Sequence, residues 1–174
     1  MKPEQLLPVA QRAYVATMMD IIGRGLVSAS QVDDEIRAEV AGFPKGFVFQ
    51  MIVLPAGPSF AAKVQEDGSL KRLTHFTGKP DLSIKFKHNA LAFLVFSFQE
   101  GTARAFANDR MIADGEVSYA IRLVRCLDKM EALILPKPVA ALAVKRYPLL
   151  PVSEKVGKAM RIYLKVAQTF LERN

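Results

Sequence analysis

The spacing of apolar residues at the start of the chain is helical. Residues 4–27 repeat apolar side chains at steps of three and four. We expect one helix there, with Pro8 accommodated near its start. Gly23 and Gly25 are expected to weaken its end, because glycine costs backbone entropy in a helix.

A second helix is predicted for residues 30–40. Ser30 and Asp33 have the spacing of a capping box, with Asp in place of the more usual Glu. Gly42 and Pro44 follow the run and are typical of a helix end.

The middle of the chain has the character of β-strands. Residues 46–54 are rich in β-branched and aromatic side chains, and residues 81–87 alternate between apolar and polar. The dipeptide Asp67-Gly68 between two strand-like runs is a strong hairpin signal. Five strands are predicted in all, at residues 46–54, 61–65, 70–74, 81–87 and 110–113.

Helical patterns return in the second half of the chain. The apolar run 89–99 fits either a helix or a buried strand by periodicity, but Asn89 as a cap and Gly101 as a stop favour a helix. Further helical segments are predicted at residues 102–107, 117–133 and 139–147.

The last predicted helix begins at Ser153, a good N-cap. Its apolar residues form a 4-3-4-3 seam of Val156, Met160, Tyr163, Ala167 and Phe170, and its basic residues Lys158, Arg161 and Lys165 share another face. Such an amphipathic helix packs on its own domain, or binds a membrane surface or a partner groove. The sequence leaves these interpretations open.

Length and composition indicate one globular domain. The chain has 174 residues, of which 51% are hydrophobic and 24% charged. Its longest uncharged stretch, residues 46–62, holds two prolines and is shorter than the ~20 residues of a membrane span. The single cysteine and the lack of a signal-peptide pattern predict a reduced, cytoplasmic setting.

The positive charge is concentrated at one end. Of the net charge of +7, residues 137–174 carry +6. A basic tail favours an anionic partner such as a lipid headgroup or an acyl carrier, or is simply a solvated helix face. It lacks the interleaved aromatic residues of a stacking surface, so we expect no nucleic-acid partner.

Familiar catalytic patterns are missing from the sequence. His75 and His88 have no neighbouring cluster of thiolates or carboxylates, and there is no phosphate-binding loop or nucleophile elbow. Asp114 and Glu116 flank a glycine turn, which explains them by turn chemistry. Cys126 lies in an apolar stretch and is interpreted as a core residue. We expect no metal and no cofactor.

The centre of the chain resembles the sterol carrier protein type 2 domain family over about residues 46–135. The resemblance is carried by the strand beginning at Asp81, the apolar run 89–99, the small-residue segment 101–107 and the stretch from Arg110 through Gly115 to Leu123. The chain ends without a peroxisomal signal, which points to a bacterial or archaeal member.

The resemblance implies an α+β fold, with a mixed sheet of about five strands covered by helices and an apolar tunnel between them. Within one domain we expect a helical extension over residues 1–44, a sterol-carrier-like core over 45–136 and basic helices over 137–174. Family members bind fatty acids, acyl-CoA, sterols or phospholipids and lack a catalytic centre. This predicts a non-catalytic lipid carrier, with a transient anionic membrane contact and a homodimer as further expectations.

The tunnel-lining candidates come from the elements that would face each other in that fold. They are Phe86, Phe93, Phe96, Ile112, Tyr119, Leu123 and Met130. For any one of them, a sealed core position is a more common explanation of such a residue than contact with a ligand. Lys158, Arg161 and Lys165 are the candidates for holding a carboxylate or phosphate headgroup.

Two alternatives remain open. In the first, the cavity is filled and the chain is an interaction or regulatory subunit that pairs through its terminal helices, since the 4-3-4-3 seam has heptad-like spacing. In the second, the chain is a small enzyme acting on an acyl or isoprenoid substrate. His75, His88, Asp114 and Tyr119 would then be the groups to test.

Overall fold

The structure is a computed structural model that describes residues 3–135 and 152–171. In this part of the chain the helices are α1 (Pro3–Val32), α2 (Asp34–Ala41), α3 (Asn89–Phe96), α4 (Thr102–Ala107), α5 (Val117–Ile134) and α6 (Val152–Leu171). The strands are β1 (Val48–Val53), β2 (Ser59–Val64), β3 (Leu70–Leu73), β4 (Leu82–Phe86) and β5 (Met111–Asp114). The helix predicted at residues 139–147 lies outside the described residues.

The strands form one mixed sheet in the order β3-β2-β1-β4-β5. β1 pairs with β2 in antiparallel and with β4 in parallel orientation, so that Met51 lies between Phe60 and Ile84. The alternation of side chains gives β1 and β4 an apolar face that is buried. The predicted α+β class, with five strands in a mixed sheet and helices packed around it, is confirmed.

Helices cover the apolar face of the sheet. α1 packs on β2 and β3, and α5 packs on β4, while α2 and α6 lie beside these two helices. α1 contributes Val15, Met19, Ile22 and Leu26 to the same buried cluster as the strands. The N-terminal helix is therefore part of the core that the sheet builds.

The sequence predicts that Gly23 and Gly25 weaken the end of the first helix, but the structure shows no such weakening. α1 continues to Val32. A Cβ atom added to Gly23 would lie 2.2 Å from the ring of Phe60 on β2. Gly23 therefore serves the close approach of helix and strand and does not end the helix.

The prediction that Ser30 caps the second helix is wrong. Ser30 lies inside α1, where its hydroxyl donates to the Val27 carbonyl and accepts the N–H of Leu70 on β3 at 2.9 Å. Asp33 is the N-cap of α2, and its carboxylate accepts the N–H of Ile36 at 2.9 Å. Ser30 makes a tertiary contact with β3, which the local spacing of residues does not reveal.

The predicted hairpin between β2 and β3 is confirmed. Gly68 has a φ of 77°, and the carboxylate of Asp67 accepts the N–H and the hydroxyl of Ser69. After β5, Gly115 has a φ of 139°, and a Cβ there would lie 2.7 Å from the carbonyl oxygen of Asp81. Both turns need glycine for their backbone conformation.

The last helix packs mainly through Ile162, and its apolar seam is covered only in part: Tyr163 donates to the Ile134 carbonyl, and the guanidinium of Arg24 lies over the ring of Phe170. Ile162 is buried, and Lys158 on the same side forms an ion pair with the buried Asp33 at 2.8 Å. The seam residues Val156, Met160, Tyr163 and Phe170 are 44–59% exposed. Ser153 is inside the helix and is not its N-cap, since α6 begins at Val152.

Candidate apolar binding site

The floor of the main apolar pocket is the centre of the sheet. Met51 of β1, Ile84 and Phe86 of β4 and Met111 of β5 contribute their side chains to it, and Ile22 of α1 closes one side. These strand residues share one face because side chains alternate along each strand. The sheet therefore supplies a rigid apolar surface.

One wall is the segment from α3 to α4. Phe96, Phe98 and Phe106 line the pocket from this segment. The predicted helix is confirmed, but it ends at Phe96 and not near Gly101. The hydroxyl of Ser97 donates to a carbonyl in the preceding turn, and Phe98 has a φ of 59°. A bulky residue rarely adopts that conformation, so it ends the helix and turns the chain into the pocket wall.

The start of α3 also differs from the prediction. His88 occupies the N-cap position and makes no capping hydrogen bond through its side chain. Asn89 is the first residue of the helix, and its side-chain oxygen is buried without a hydrogen-bond partner. Asn89 is therefore not the cap that its residue type suggested.

The opposite wall is one face of α5. Leu123, Val124, Leu127 and Glu131 line the pocket. Val124, Leu127 and Glu131 follow Leu123 by one, four and eight residues, which places all four on one side of the helix. The pocket is thus closed between two helical segments and the sheet.

The pocket is small. Its cavity volume is about 40 Å³. A cavity measured in this way needs about 10–15 Å³ to hold one water molecule. In this form the pocket has room for a few water-sized groups, and an acyl chain requires its walls to move apart.

Two carboxyl groups are the charged groups among the described residues that line this pocket. Glu100 has partners: Arg110 approaches it at 3.3 Å, and the side chain of Asn108 donates to it. Burial, together with the neighbouring carboxyl of Asp128, raises the pKa of Glu131 to about 8. Burial also raises the pKa of Asp128 to about 6.

Three of the predicted tunnel residues lie in the pocket wall: Phe86, Phe96 and Leu123. Ile112 does not lie there. Its neighbour Met111 faces the core, and Ile112 is 41% exposed, because successive residues of β5 point to opposite faces.

The remaining three tunnel candidates are packed elsewhere. Phe93 meets the ring of Tyr14 edge-on, with 5.3 Å between the ring centres. Tyr119 stacks on Phe43 at 5.5 Å, towards the other end of the core. Met130 is fully buried in the hydrophobic core.

The proposed headgroup cations lie away from the pocket wall. Lys158 contacts Asp33 and Glu154, and Lys165 donates to the side chain of Gln31 at 2.9 Å. Arg161 is exposed. Two of the three cations therefore serve to attach α6 to the helices beside it.

The groups considered for an enzyme are not brought together. His75 follows β3, one edge strand, and Asp114 ends β5, the opposite edge strand, where it pairs with Lys85 at 2.5 Å. Tyr119 lies among aromatic rings. Cys126 is confirmed as a core residue, and burial raises the pKa of its thiol to about 12.

Sequence reasoning missed Glu131, Phe98 and Phe106 of the pocket. For Glu131 a signal was present, since it follows Leu127 by four residues and Val124 by seven, on the same helical face. A carboxyl in the middle of an apolar helix face is unusual. Phe98 had no comparable signal, because its position depends on where α3 ends.

In residues 3–135 and 152–171 no set of side chains is suitable for a metal ion. The helices of the same ranges include none with the length and apolar character to cross a membrane.

No protein-family model and no curated protein matches the sequence. Among solved structures, the fold is similar to sterol carrier protein 2 from Yarrowia lipolytica, with 16% identity, a TM-score of 0.42 and coverage of 64% of this chain and 88% of that one. It is also similar to the UbiJ-SCP2 ubiquinone synthesis protein, with 12% identity, a TM-score of 0.43 and coverage of 72% and 98%. A third similar structure is sterol carrier protein 2 like 2 from Aedes aegypti, with 15% identity, a TM-score of 0.33 and coverage of 56% of this chain and 94% of that one. The resemblance to sterol carrier proteins that the sequence predicts is confirmed by these structures as a likeness of fold.

Proposed function

We propose that this chain, with its sterol carrier-like fold, is a non-catalytic lipid-binding module that holds the apolar part of its ligand between the sheet and α5. The observation that carries the proposal is the pocket itself, whose walls are made almost wholly of apolar side chains at the centre of the molecule. Such concave apolar sites are typical of small-molecule binding.

The ligand would enter by movement of the segment from α3 to α4. Residues with positive φ flank this segment, Phe98 before α4 and Asp109 after it. The chain therefore already turns sharply at both ends, so that α4 can move as a unit about them. Each methylene group that the ligand buries contributes about 0.8 kcal/mol, so a chain of several carbons offsets the cost of opening.

A binding experiment with a blocked pocket tests this proposal. The affinity for a fluorescent fatty acid or fatty ester is measured for the unmodified protein and for Val124→Phe, which places a larger side chain in the wall of the pocket. We expect the variant to lose at least tenfold in affinity. The matched control is Ile121→Phe, on the same helix but 51% exposed, which should bind like the unmodified protein.

Two results would count against the lipid-binding proposal. One is that the unmodified protein binds neither probe at tens of micromolar. The other is that Val124→Phe and Ile121→Phe bind equally well, since the probe would then occupy another site. Native mass spectrometry of the purified protein gives an independent reading, because a bound lipid adds its own mass.

A second candidate function is an interaction subunit that pairs with a second copy of itself through α6. The seam of Val156, Met160, Tyr163 and Phe170 has heptad spacing. Val156 and Met160 are more than half exposed, whereas Tyr163 and Phe170 also contact Ile134 and Arg24. An anionic membrane would require cations beside the apolar stripe. Lys158 is instead tied to Asp33 on the opposite side of the helix. This arrangement favours a protein partner over a membrane surface.

The pairing is tested by light scattering over a range of protein concentrations. We expect a dimer in the unmodified protein and a monomer in Met160→Lys, which puts a charge into the seam. Gln168→Lys adds the same charge at an exposed position outside the seam residues and should leave the dimer intact. A monomer at every concentration would overturn this candidate, with no bearing on lipid binding.

A further inference from the structure

The pocket has an unusual set of polar groups for a site that would hold a lipid. Among the described residues that line it there is no Lys, Arg or His, and the charged ones are Glu100 and Glu131. Glu100 is neutralised by Arg110 at 3.3 Å and accepts from Asn108. Thr102 adds one hydroxyl. The described part of the pocket therefore offers no cation that would compensate a ligand's negative charge.

Glu131 is the polar group without a partner. Within residues 3–135 and 152–171 no side chain forms a hydrogen bond or ion pair with its carboxyl group. It lies on the same helical face as Leu127 and Val124, where it is partly buried and lines the apolar pocket. A carboxyl that lies among apolar side chains and has no cationic partner keeps its proton to a higher pH than usual, and a protonated carboxyl can donate a hydrogen bond.

The charged groups around Glu131 do not change this conclusion. On α5 its titratable neighbour is Asp128, whose carboxyl opposes ionisation of Glu131. From the segment before α4, Glu100 is already paired. From α6, Lys155 and Tyr163 donate to the carbonyls of Leu135 and Ile134 at the end of α5.

We propose that Glu131 selects the ligand's polar end: the pocket takes a lipid whose terminal oxygen is uncharged, an ester, ketone or hydroxyl that accepts a hydrogen bond from the Glu131 carboxyl, in preference to a free fatty acid. This inference rests on the proposed lipid-binding function and specifies its substrate class. A fatty acid carboxylate in the same place would bring a full charge out of water with no cation among the described lining residues to compensate it and with the carboxylate of Glu100 nearby, which is unfavourable even if Glu131 donates to it.

The test compares two ligands that differ only in the charge of the polar end. Dissociation constants for methyl dodecanoate and dodecanoate are measured at neutral pH and again well above the pKa of about 8 of Glu131. We expect the ester to bind at least tenfold more tightly at neutral pH. As Glu131 ionises, its proton is lost, and the affinity for the ester should fall.

The variant Glu131→Gln separates the effect of the titratable carboxyl proton from the effect of the size and shape of the side chain. Its amide is similar in size, remains uncharged and donates a hydrogen bond at every pH. The variant should bind the ester as the unmodified protein does but without the loss at high pH. Above the pKa of Glu131, where the unmodified side chain is charged, the variant should also bind dodecanoate more tightly than the unmodified protein does. Glu116→Gln, at an exposed position before α5, is the matched control and should change none of these values.

The outcomes are distinct for the inference and for the function on which it rests. If neither ligand binds, the lipid-binding proposal fails. If both bind but dodecanoate binds as tightly as its ester, or if Glu131→Gln keeps the unmodified pH profile, the role of Glu131 is overturned and lipid binding stands. An NMR titration of the side-chain carboxyls without ligand adds a direct measurement: a Glu131 that ionises in the ordinary range of glutamate overturns the inference.

Discussion

At the scale of single residues, this protein depends on contacts that leave no room for a side chain. The clearest is Gly23, where α1 crosses the ring of Phe60. Phe60 is itself buried, so its ring cannot swing into solvent. Protein interiors are packed as densely as organic crystals. An added methyl group at such a contact therefore forces neighbouring atoms to shift and destabilises the folded state.

Alanine substitution of two helical glycines should have opposite effects. Gly157 lies in α6 with nothing within 4 Å of an added Cβ, so Gly157→Ala should stabilise the protein by up to about 1 kcal/mol through helix propensity. Gly23→Ala gains the same propensity but drives Cβ into the Phe60 ring, and should destabilise by about 1–3 kcal/mol. Urea unfolding measures both. Equal effects at the two positions would mean that α1 and β2 are not in close contact.

At the scale of elements, α6 is attached by polar contacts at Asp33. This buried carboxylate caps α2 through Ile36 and receives the ammonium group of Lys158 from α6. The ion pair raises the pKa of Lys158. A side chain that serves a cap and an inter-helix ion pair couples the ends of three helices, α1, α2 and α6.

Substitutions at Asp33 should separate its two roles. Asp33→Asn keeps a good N-cap but loses the charge, and should loosen α6 with little change in α2. Asp33→Ala loses both and should cost about 1–3 kcal/mol more than a surface change. Hydrogen exchange of the α6 amides measures the loosening. Glu154→Gln removes the exposed second partner of Lys158 and should have a small effect; an equal effect would contradict a special role for Asp33.

The elements themselves were largely predictable from the sequence, and the orientation of α6 was not. Strand alternation and the Asp67-Gly68 turn are local properties, so β2, β3 and β4 lie within two residues of their predicted places. Periodicity shows that the seam containing Met160 is apolar, but it does not show which face is covered. That depends on Asp33, which is distant in sequence.

The candidate site was less predictable for the same reason. Phe86, Phe96 and Leu123 belong to long regular patterns and lie in the pocket. Ile112 belongs to a strand of four residues, too short for the pattern to fix which side faces inward. Tyr119 is drawn away by the ring of Phe43, a residue of the connection after α2.

At the scale of the whole molecule, the partly buried carboxyl of Glu131 links stability to pH. Its pKa is about 8 in the folded protein and about 4.5 in the unfolded chain. Between these values the unfolded chain releases a proton that the folded protein retains. Stability from this group is therefore present at acid pH, falls as the pH rises through that window, and is constant above it.

Thermal unfolding of Glu131→Gln should reveal this contribution. We expect the midpoint of the unmodified protein to fall between about pH 5 and pH 8 more steeply than that of the variant, because the amide does not titrate. The variant should therefore be relatively more stable on the alkaline side. Parallel pH profiles for the two proteins would show that Glu131 ionises normally in the folded state.

The parallel pairing of β1 with β4 has a consequence for synthesis on the ribosome. β4 begins at Leu82, 29 residues after β1 ends at Val53. While the intervening hairpin emerges, one side of β1 has its backbone donors and acceptors free. Such an edge can pair with strands of other chains. The nascent protein is thus most prone to misassembly in that interval, and translation that pauses between these strands should lower the yield of folded product.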